Sequence, residues 1–490
     1  MEPESLDIYL IAIGGTGMAP LACLLRDLGH RVRGVDGPLY PPMSTLLADA
    51  GVEPLVGYDQ GHLAAARDAG EAPDLVIVGN AVPRHNPEAQ AAEALAAEVD
   101  GVERISMPQA LARFVLAGRD PLVAAGTHGK TTTTSMAAWV YRSCGEDPGW
   151  LVGGIPKNLG PSFHIGGGRR FVIEGDEYNA AYFDRGPKFL HYAPNALILT
   201  SVEYDHADLY PTHDAMLDAY SRLVELVPED GLVAAYGDSP QVREVASRAK
   251  AQVVFYGLGP GNDVRPKDGV EWGEGGSRCV VLSGDPERDA EAEMPLHLAA
   301  PGEHNLLNAL AVWAVARHDG LPAAAVATAL GAFSGAKRRL EELGTEAGIT
   351  VVDDFAHHPT AVGKSLGGLR QRYPGRRIVV LFEPRSLTAG RSFFFESYLD
   401  AFAEADVVRF APIFYSERLG EDNRLDLDAL VAGLVDRGVT AEIATDIGDL
   451  EARTLGDARP GDVLTTMTSG SFEGLPHRLL DRLRSRAQST

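Results

Sequence analysis

Gly126-Thr127-His128-Gly129-Lys130-Thr131-Thr132 stands between the apolar run Leu122-Val123-Ala124-Ala125 and a stretch of helical character through Tyr141. A strand, a glycine loop and a helix in that order place backbone N–H groups and the positive end of a helix dipole around an anion. Lys130 can then reach β- and γ-phosphates, and the Thr131 hydroxyl is placed to ligate Mg²⁺. The eight-residue form of this loop has glycine where Ala124 stands, so the match fails at one position. The bland alternative is a chance Gly-Lys-Thr in a chain rich in Ala and Gly.

Two acidic clusters follow. Phe171-Val172-Ile173 runs into Glu174-Gly175-Asp176-Glu177, and Ala196–Leu199 is followed by Glu203, Asp205 and His206. Carboxylates at the C-terminal ends of parallel strands share one sheet edge with the phosphate loop, where a metal partner must lie. Taken alone, His206 reads as a hydrogen-bonded loop histidine; with both clusters it reads as part of a site for one or two metal ions. His304-Asn305 opens a further helix, where Asn305 either caps the helix or touches a base. Arg338-Arg339 is either a solvated pair or a clamp on phosphate across a cleft.

A second glycine turn lies near the start. Ile8–Ile13 leads into Gly14-Gly15-Thr16-Gly17 and then the helical Met18–Leu28, and Asp36 ends the next strand. The glycines allow a diphosphate to approach, and the acid can take a ribose hydroxyl. Pro20 occupies the place of the third glycine of the dinucleotide pattern, so a UDP-sugar competes with NAD as the ligand.

These sites need sheets to hold them. Ile8–Ile13, Val32–Val35, Leu75–Val78, Leu122–Ala125, Phe171–Ile173, Ala196–Leu199 and Ile378–Phe382 read as buried parallel strands alternating with Ala/Leu-rich helices. That rhythm predicts an α/β protein with mainly parallel sheets. Seams at Gly118–Pro121 and Gly335–Arg339 divide the 490 residues into expected domains at 1–118, 119–335 and 336–490. Gly257–Gly276, rich in Gly and Asp, is expected to be an exposed loop region.

Composition bounds the function. With 44 Lys+Arg against 68 Asp+Glu, the net charge is −24, which argues against a general nucleic-acid binder. Anionic ligands must therefore be held by local donors against a repulsive field. Cys23, Cys144 and Cys279 form no CxxC pair, so neither a disulfide framework nor a zinc ribbon is expected. The acidic Met1–Ser5 lacks a signal-peptide layout, and no apolar run approaches the ~18 residues of a membrane span. A cytoplasmic enzyme without membrane or nucleic-acid partners is expected.

Taken in order, Gly126–Thr132, Glu174, Asp205-His206, His304-Asn305, Arg338-Arg339 and Asp353-Asp354-Phe355-Ala356-His357-His358-Pro359 resemble the landmarks of the Mur ligase family, ATP-dependent amide-bond-forming enzymes of peptidoglycan metabolism. The resemblance spans essentially the whole chain. It implies an N-terminal Rossmann-like domain for the UDP-sugar, a central P-loop ATPase domain, and a Rossmann-like C-terminal domain that binds the amine substrate and closes on ATP. The implied ATP contacts are Gly126, Thr127, His128, Gly129, Lys130, Thr131, Thr132, Asn305, Arg339 and Asp353 or Asp354. Thr131, Glu174 and His206 are the implied Mg²⁺ ligands, for one or two ions. Gly15, Thr16, Gly17, Asp36 and Asn80 would face the UDP-sugar, and Phe355, His357, Arg385 and Arg391 the incoming peptide. Lys130, Glu174, His206 and His357 would carry the chemistry. No lysine lies between His206 and Pro228, so the modified lysine of several family members is not expected.

Tyr40–Leu46, Gly79-Asn80-Ala81, Glu177-Tyr178 with Phe183-Asp184 and Lys188-Phe189, and Glu383-Pro384-Arg385-Ser386 resemble members that join UDP-N-acetylmuramate to the tripeptide L-alanyl-γ-D-glutamyl-meso-diaminopimelate. Addition of free L-alanine is the alternative within the family. A P-loop ATPase that switches a partner without forming a bond is the alternative outside it, and a monomer or a dimer is compatible with either.

Overall fold

The computed structural model describes residues 5–203, 209–210, 212–284, 291–385, 389–415, 417, 420 and 423–488. His206 and Asp205, and Ser386 of the Glu-Pro-Arg-Ser run, lie outside the described residues.

Three sheets carry the three domains. The first is wholly parallel, in the spatial order Leu55–Val56, Arg31–Asp36, Asp7–Ile11, Leu75–Val78, Glu103–Ser106. Strand order reverses between Asp7–Ile11 and Leu75–Val78, so a crevice opens beyond their C-terminal ends. Gly14–Gly17 and Asn80 follow those two strands. The strand expected over Ile8–Ile13 stops at Ile11, because Ala12 turns into the left-handed region with φ 64° and both Ala12 N and Ile13 N donate to Val35 O.

Among the described residues the central sheet has eleven strands. Its parallel heart sets Asp120–Ala125 between Ala196–Leu199 and Arg170–Gly175, with Ala125 in register with Leu199 and Gly175, and Ala124 with Glu174. Helices cover both faces, which is why Leu122–Ala125 is a continuous buried run rather than an alternating one. Gly257–Gly276 departs from expectation. It contains the strands Val264–Pro266 and Glu271–Gly273, and Glu271–Gly273 pairs antiparallel with Gly276–Ser283 across a glycine turn. The central sheet is thus parallel at its core and antiparallel at that edge.

The third sheet runs Glu341–Glu346, Ile349–Asp354, Val463–Met467, Ile378–Phe382, Val407–Phe410, Thr440–Ile443, parallel except for its first strand. Separate apolar clusters pack on its two faces. The first two domains instead share a core, which runs from Ile8, Leu10 and Leu24 through Met107 and Leu111 to Phe171, Phe189 and Val233. Their contact is reinforced where Arg104 stacks 4.3 Å from the Phe183 ring centroid and Ser106 Oγ donates to Asp184 at 3.0 Å. Among the described residues no helix is long and apolar enough to cross a membrane.

Candidate active site

The phosphate loop begins one residue after the strand Asp120–Ala125. Ala124 is fully buried inside that strand, so the loop is the short form starting at Gly126, and no glycine is needed at 124. Gly126 has φ 130°, and a Cβ there would come 2.3 Å from Thr200 Oγ1; Gly129 has φ 84°. Both glycines are therefore demanded by backbone shape. Gly129 precedes helix Lys130–Ser143, whose first-turn N–H groups lack intrahelical acceptors and carry the positive end of the dipole.

Lys130 Nζ donates to Gly126 O at 2.7 Å and to Thr127 O at 3.2 Å, and lies 2.9 Å from Glu177 Oε2. Burial works against its charge. The Glu177 carboxylate, with Glu174 and Asp176 behind it, outweighs that and raises its pKa. Thr131 Oγ1 donates to Glu174 Oε1 at 3.0 Å, and Glu174 Oε2 accepts from Gly153 N at 2.8 Å. A hydroxyl and a carboxylate in contact at a helix N-terminus form a hard oxygen donor set, which suits Mg²⁺ held jointly by protein and phosphate. No group of three His, Cys, Asp or Glu able to hold a metal occurs among the described residues. That pattern belongs to metals caged by protein alone, whereas Mg²⁺ takes one or two protein oxygens and completes its shell from substrate and water.

The third wall comes from the C-terminal domain. Arg339 Nη2 donates to Thr131 Oγ1 at 3.3 Å, and its guanidinium lies 4.8 Å from the Phe355 ring centroid. Burial lowers its pKa, partly offset by Asp354 and Glu174. The backbone on either side is strained: Arg338 has φ 58° and Leu340 φ 48°. Left-handed conformations at non-glycine residues cost about 1–2 kcal/mol each and persist where the surrounding structure enforces them, often at functional sites. Here they aim consecutive arginines apart. Arg339 enters the cleft, while Arg338 donates to Thr468 O at 2.9 Å and pairs with Asp353 at 3.3 Å.

A cleft of about 830 Å³ gathers these groups. Thr127–Thr132, Glu174, Asn305, Arg339, Asp354, Phe355 and His357 line it, together with Thr16 of the N-terminal glycine turn. Alternation along Ile349–Asp354 sends its last two acids to opposite faces. Only Asp354 reaches the cleft; Asp353 accepts from Thr466 Oγ1 at 3.0 Å away from it. Gly126, Gly15, Gly17, Asp36, Asn80, Arg385 and Arg391 are not in the lining. Asp36 braces the first glycine turn, accepting from Gly14 N at 2.7 Å, Gly37 N at 2.7 Å and Tyr58 OH at 2.9 Å. Arg385 lies 3.8 Å from the Phe414 ring centroid, beside buried Glu383 at 3.5 Å.

Asn305 does not cap its helix. Gly302 holds the N-cap position, and Asn305 Nδ2 donates to Pro301 O at 2.6 Å. Three residues on, Asn308 is buried against Gly129, and its Nδ2 has no hydrogen-bond partner among the described residues. The Asn305/Asn308 spacing puts both amides on one helix face, a signal already present in the sequence. For two residues already singled out in the sequence, the structure adds the partner: Glu177 holds Lys130, and Lys188 Nζ donates to Asp176 at 2.6 Å. His357 Nδ1 lies 3.0 Å from Phe355 O, and because a carbonyl only accepts, this contact fixes a proton on Nδ1.

Known proteins match this arrangement along the whole chain. Residues 7–119 match the Mur ligase family catalytic domain, 124–316 the Mur ligase middle domain, and 338–470 the Mur ligase glutamate ligase domain. The UDP-N-acetylmuramate–L-alanyl-γ-D-glutamyl-meso-2,6-diaminoheptandioate ligase of Escherichia coli is 38% identical over 98% of this chain and 99% of its own. A UDP-N-acetylmuramate–L-alanine ligase of Kineococcus radiotolerans is 36% identical over 98% of this chain and 96% of its own. The crystal structure of a murein peptide ligase from Psychrobacter arcticus superimposes with a TM-score of 0.70 at 31% identity, covering 98% of this chain and 99% of that one. The chain belongs to the Mur ligase family of ATP-dependent, amide-bond-forming ligases.

Proposed function

We propose that this enzyme joins the lactyl carboxylate of UDP-N-acetylmuramate to the amino group of L-alanyl-γ-D-glutamyl-meso-diaminopimelate, at the expense of ATP, in the cytoplasm. The observation that carries this reading is the meeting of Thr16, Lys130, Glu174 and Arg339, from three domains, on one cleft. A sugar nucleotide on the first turn and a triphosphate on the second would face each other there. The similarity to the tripeptide-adding enzyme of Escherichia coli supports the choice of amine.

A carboxylate oxygen is a poor leaving group, so the acid must first be activated. The lactyl oxygen attacks the γ-phosphorus, the bond to the ADP oxygen breaks, and an acyl phosphate forms. Lys130, the loop N–H groups and Arg339 offset the charge that builds when two anions meet. Thr131 and Glu174, with His206, would hold Mg²⁺, which when bound neutralises phosphate charge. The peptide amine, having lost its proton, attacks the acyl carbon, and the tetrahedral intermediate expels phosphate. His357 or a nearby acid is the candidate acceptor of that proton. The walls from three domains exclude the water that would hydrolyse the acyl phosphate.

Product formation from UDP-N-acetylmuramate and ATP with tripeptide or with L-alanine tests this reading. Tripeptide is expected to give the higher kcat/KM. Preference for L-alanine would move the enzyme to the other branch of the family, and ADP release indifferent to muramate would make it an ATPase switch.

A further inference from the structure

Glu203 joins three elements, the phosphate loop, the end of strand Ala196–Leu199 and the helix Pro359–Arg372. Its backbone stitches the phosphate loop to the end of strand Ala196–Leu199: Glu203 N donates to Thr127 Oγ1 at 2.8 Å, and that hydroxyl donates back to Glu203 O at 3.1 Å. The same stretch takes Thr127 N on Ser201 O at 2.9 Å and His128 N on Ser201 Oγ at 3.0 Å. The shape of the loop therefore depends on where residues 200–203 sit.

The Glu203 side chain reaches the other way. Its Oε2 accepts from Thr360 Oγ1 at 2.9 Å and lies 3.3 Å from His128 Nε2, and its Oε1 is 3.8 Å from Lys364 Nζ. Thr360 and Lys364 are one turn apart on the C-terminal domain's helix Pro359–Arg372. Thr360 is in the first turn, where the helix dipole favours a carboxylate. His358, the N-cap residue of that helix, sets its ring 4.9 Å from the His128 ring. Burial pushes the Glu203 carboxyl up, but His128, Lys364 and Thr360 outweigh it and hold the group at about 2, so it is charged at neutral pH.

We infer that Glu203 is a positioning residue that couples docking of the C-terminal helix Pro359–Arg372 to the geometry of the phosphate loop. One carboxylate touches the loop through His128 and the helix through Thr360 and Lys364. Release of the helix would free Glu203 and loosen the loop, and disorder in the loop would undock the helix that follows Phe355 and His357. The turnover arm of the test below rests on the proposed function; the nucleotide-affinity arm does not.

The test is a double-mutant cycle on the full chain, read by calorimetric titration with Mg-ATP. Glu203→Ala and Thr360→Val should each weaken Mg-ATP binding about fivefold, and the double variant no more than either single. Glu203→Gln keeps an acceptor for Thr360 Oγ1 and should recover at least half of the loss. In turnover, KM for ATP should rise while KM for UDP-N-acetylmuramate stays within twofold. Independent losses that multiply to about 25-fold, no effect of Thr360→Val, or an equal rise in both KM values would overturn the coupling. Thr360→Val is nearly isosteric, so it reads the contact even if Glu203→Ala folds poorly. A wild-type chain that makes no product would sink the functional reading and leave the affinity cycle to stand or fall by itself.

Discussion

Lys130 Nζ sits within 2.9–3.0 Å of both carboxylate oxygens of Glu177, a buried acid 47 residues away in sequence. The cation that should receive a phosphate is thus already paired. At an effective dielectric of 20, charges 4 Å apart interact by about 4 kcal/mol, so an incoming phosphate must redistribute a substantial local energy. Glu177→Gln removes the competing charge and is expected to tighten Mg-ATP binding by about tenfold or less. Lys130→Ala is expected to lower kcat by about 100–1,000-fold. Titration and steady-state rates read the two variants, and movement in the same direction would contradict the pairing argument.

Glu174 bridges Thr131 Oγ1 and Gly153 N. Glu174→Gln preserves the bridge's shape but weakens a hard-cation donor. The Mg²⁺ concentration for half-maximal activity should rise about tenfold or more, with partial rescue at high Mg²⁺. An unchanged magnesium dependence would place Glu174 outside the metal's reach.

His304 is set in the wall of the cleft, and burial, aided by the charge of Lys364, lowers its pKa to about 4. The folded protein resists protonation there more than the unfolded chain, whose histidine titrates at about 6.5. As pH falls below that value the unfolded state takes up the proton first, so stability is lost progressively down to about 4. The loss is on the order of 3 kcal/mol. Unfolding midpoints between pH 7 and 4 should fall less steeply for His304→Asn than for the wild type; parallel slopes would refute the assignment.

Much of the site was legible because its residues are contiguous. Gly126–Thr132 reads as a loop from its glycines, and Glu174 as a strand end from Phe171–Ile173. Partnerships were not legible, since they depend on strand order. Glu177 meets Lys130, and Glu203 meets Thr127, because Asp120–Ala125 lies between Arg170–Gly175 and Ala196–Leu199. Gly257–Gly276 carries paired strands where its composition suggests a loop, because glycines also build tight antiparallel hairpins and composition alone does not separate the two. The alternation that sends Asp354 into the cleft and Asp353 away from it was readable only once the strand's covered face was known.

Gly470 lies against Arg385 so closely that a Cβ there would come 1.9 Å from Arg385 Cδ. Gly470→Ala must therefore displace the guanidinium from between Glu383 and Phe414. If Arg385 receives the peptide, KM for tripeptide should rise about tenfold, worth 1.4 kcal/mol, while KM for ATP stays unchanged. An unaltered peptide KM would remove Arg385 from that role.

In the proposed reaction, phosphate passes from ATP to the sugar-linked acid before the amide forms. Synthesis with UDP-N-acetylmuramate carrying ¹⁸O in its lactyl carboxylate tests this by mass analysis of the released phosphate. One labelled oxygen is expected in inorganic phosphate for each amide formed. Release of unlabelled phosphate alongside normal amide formation would contradict it.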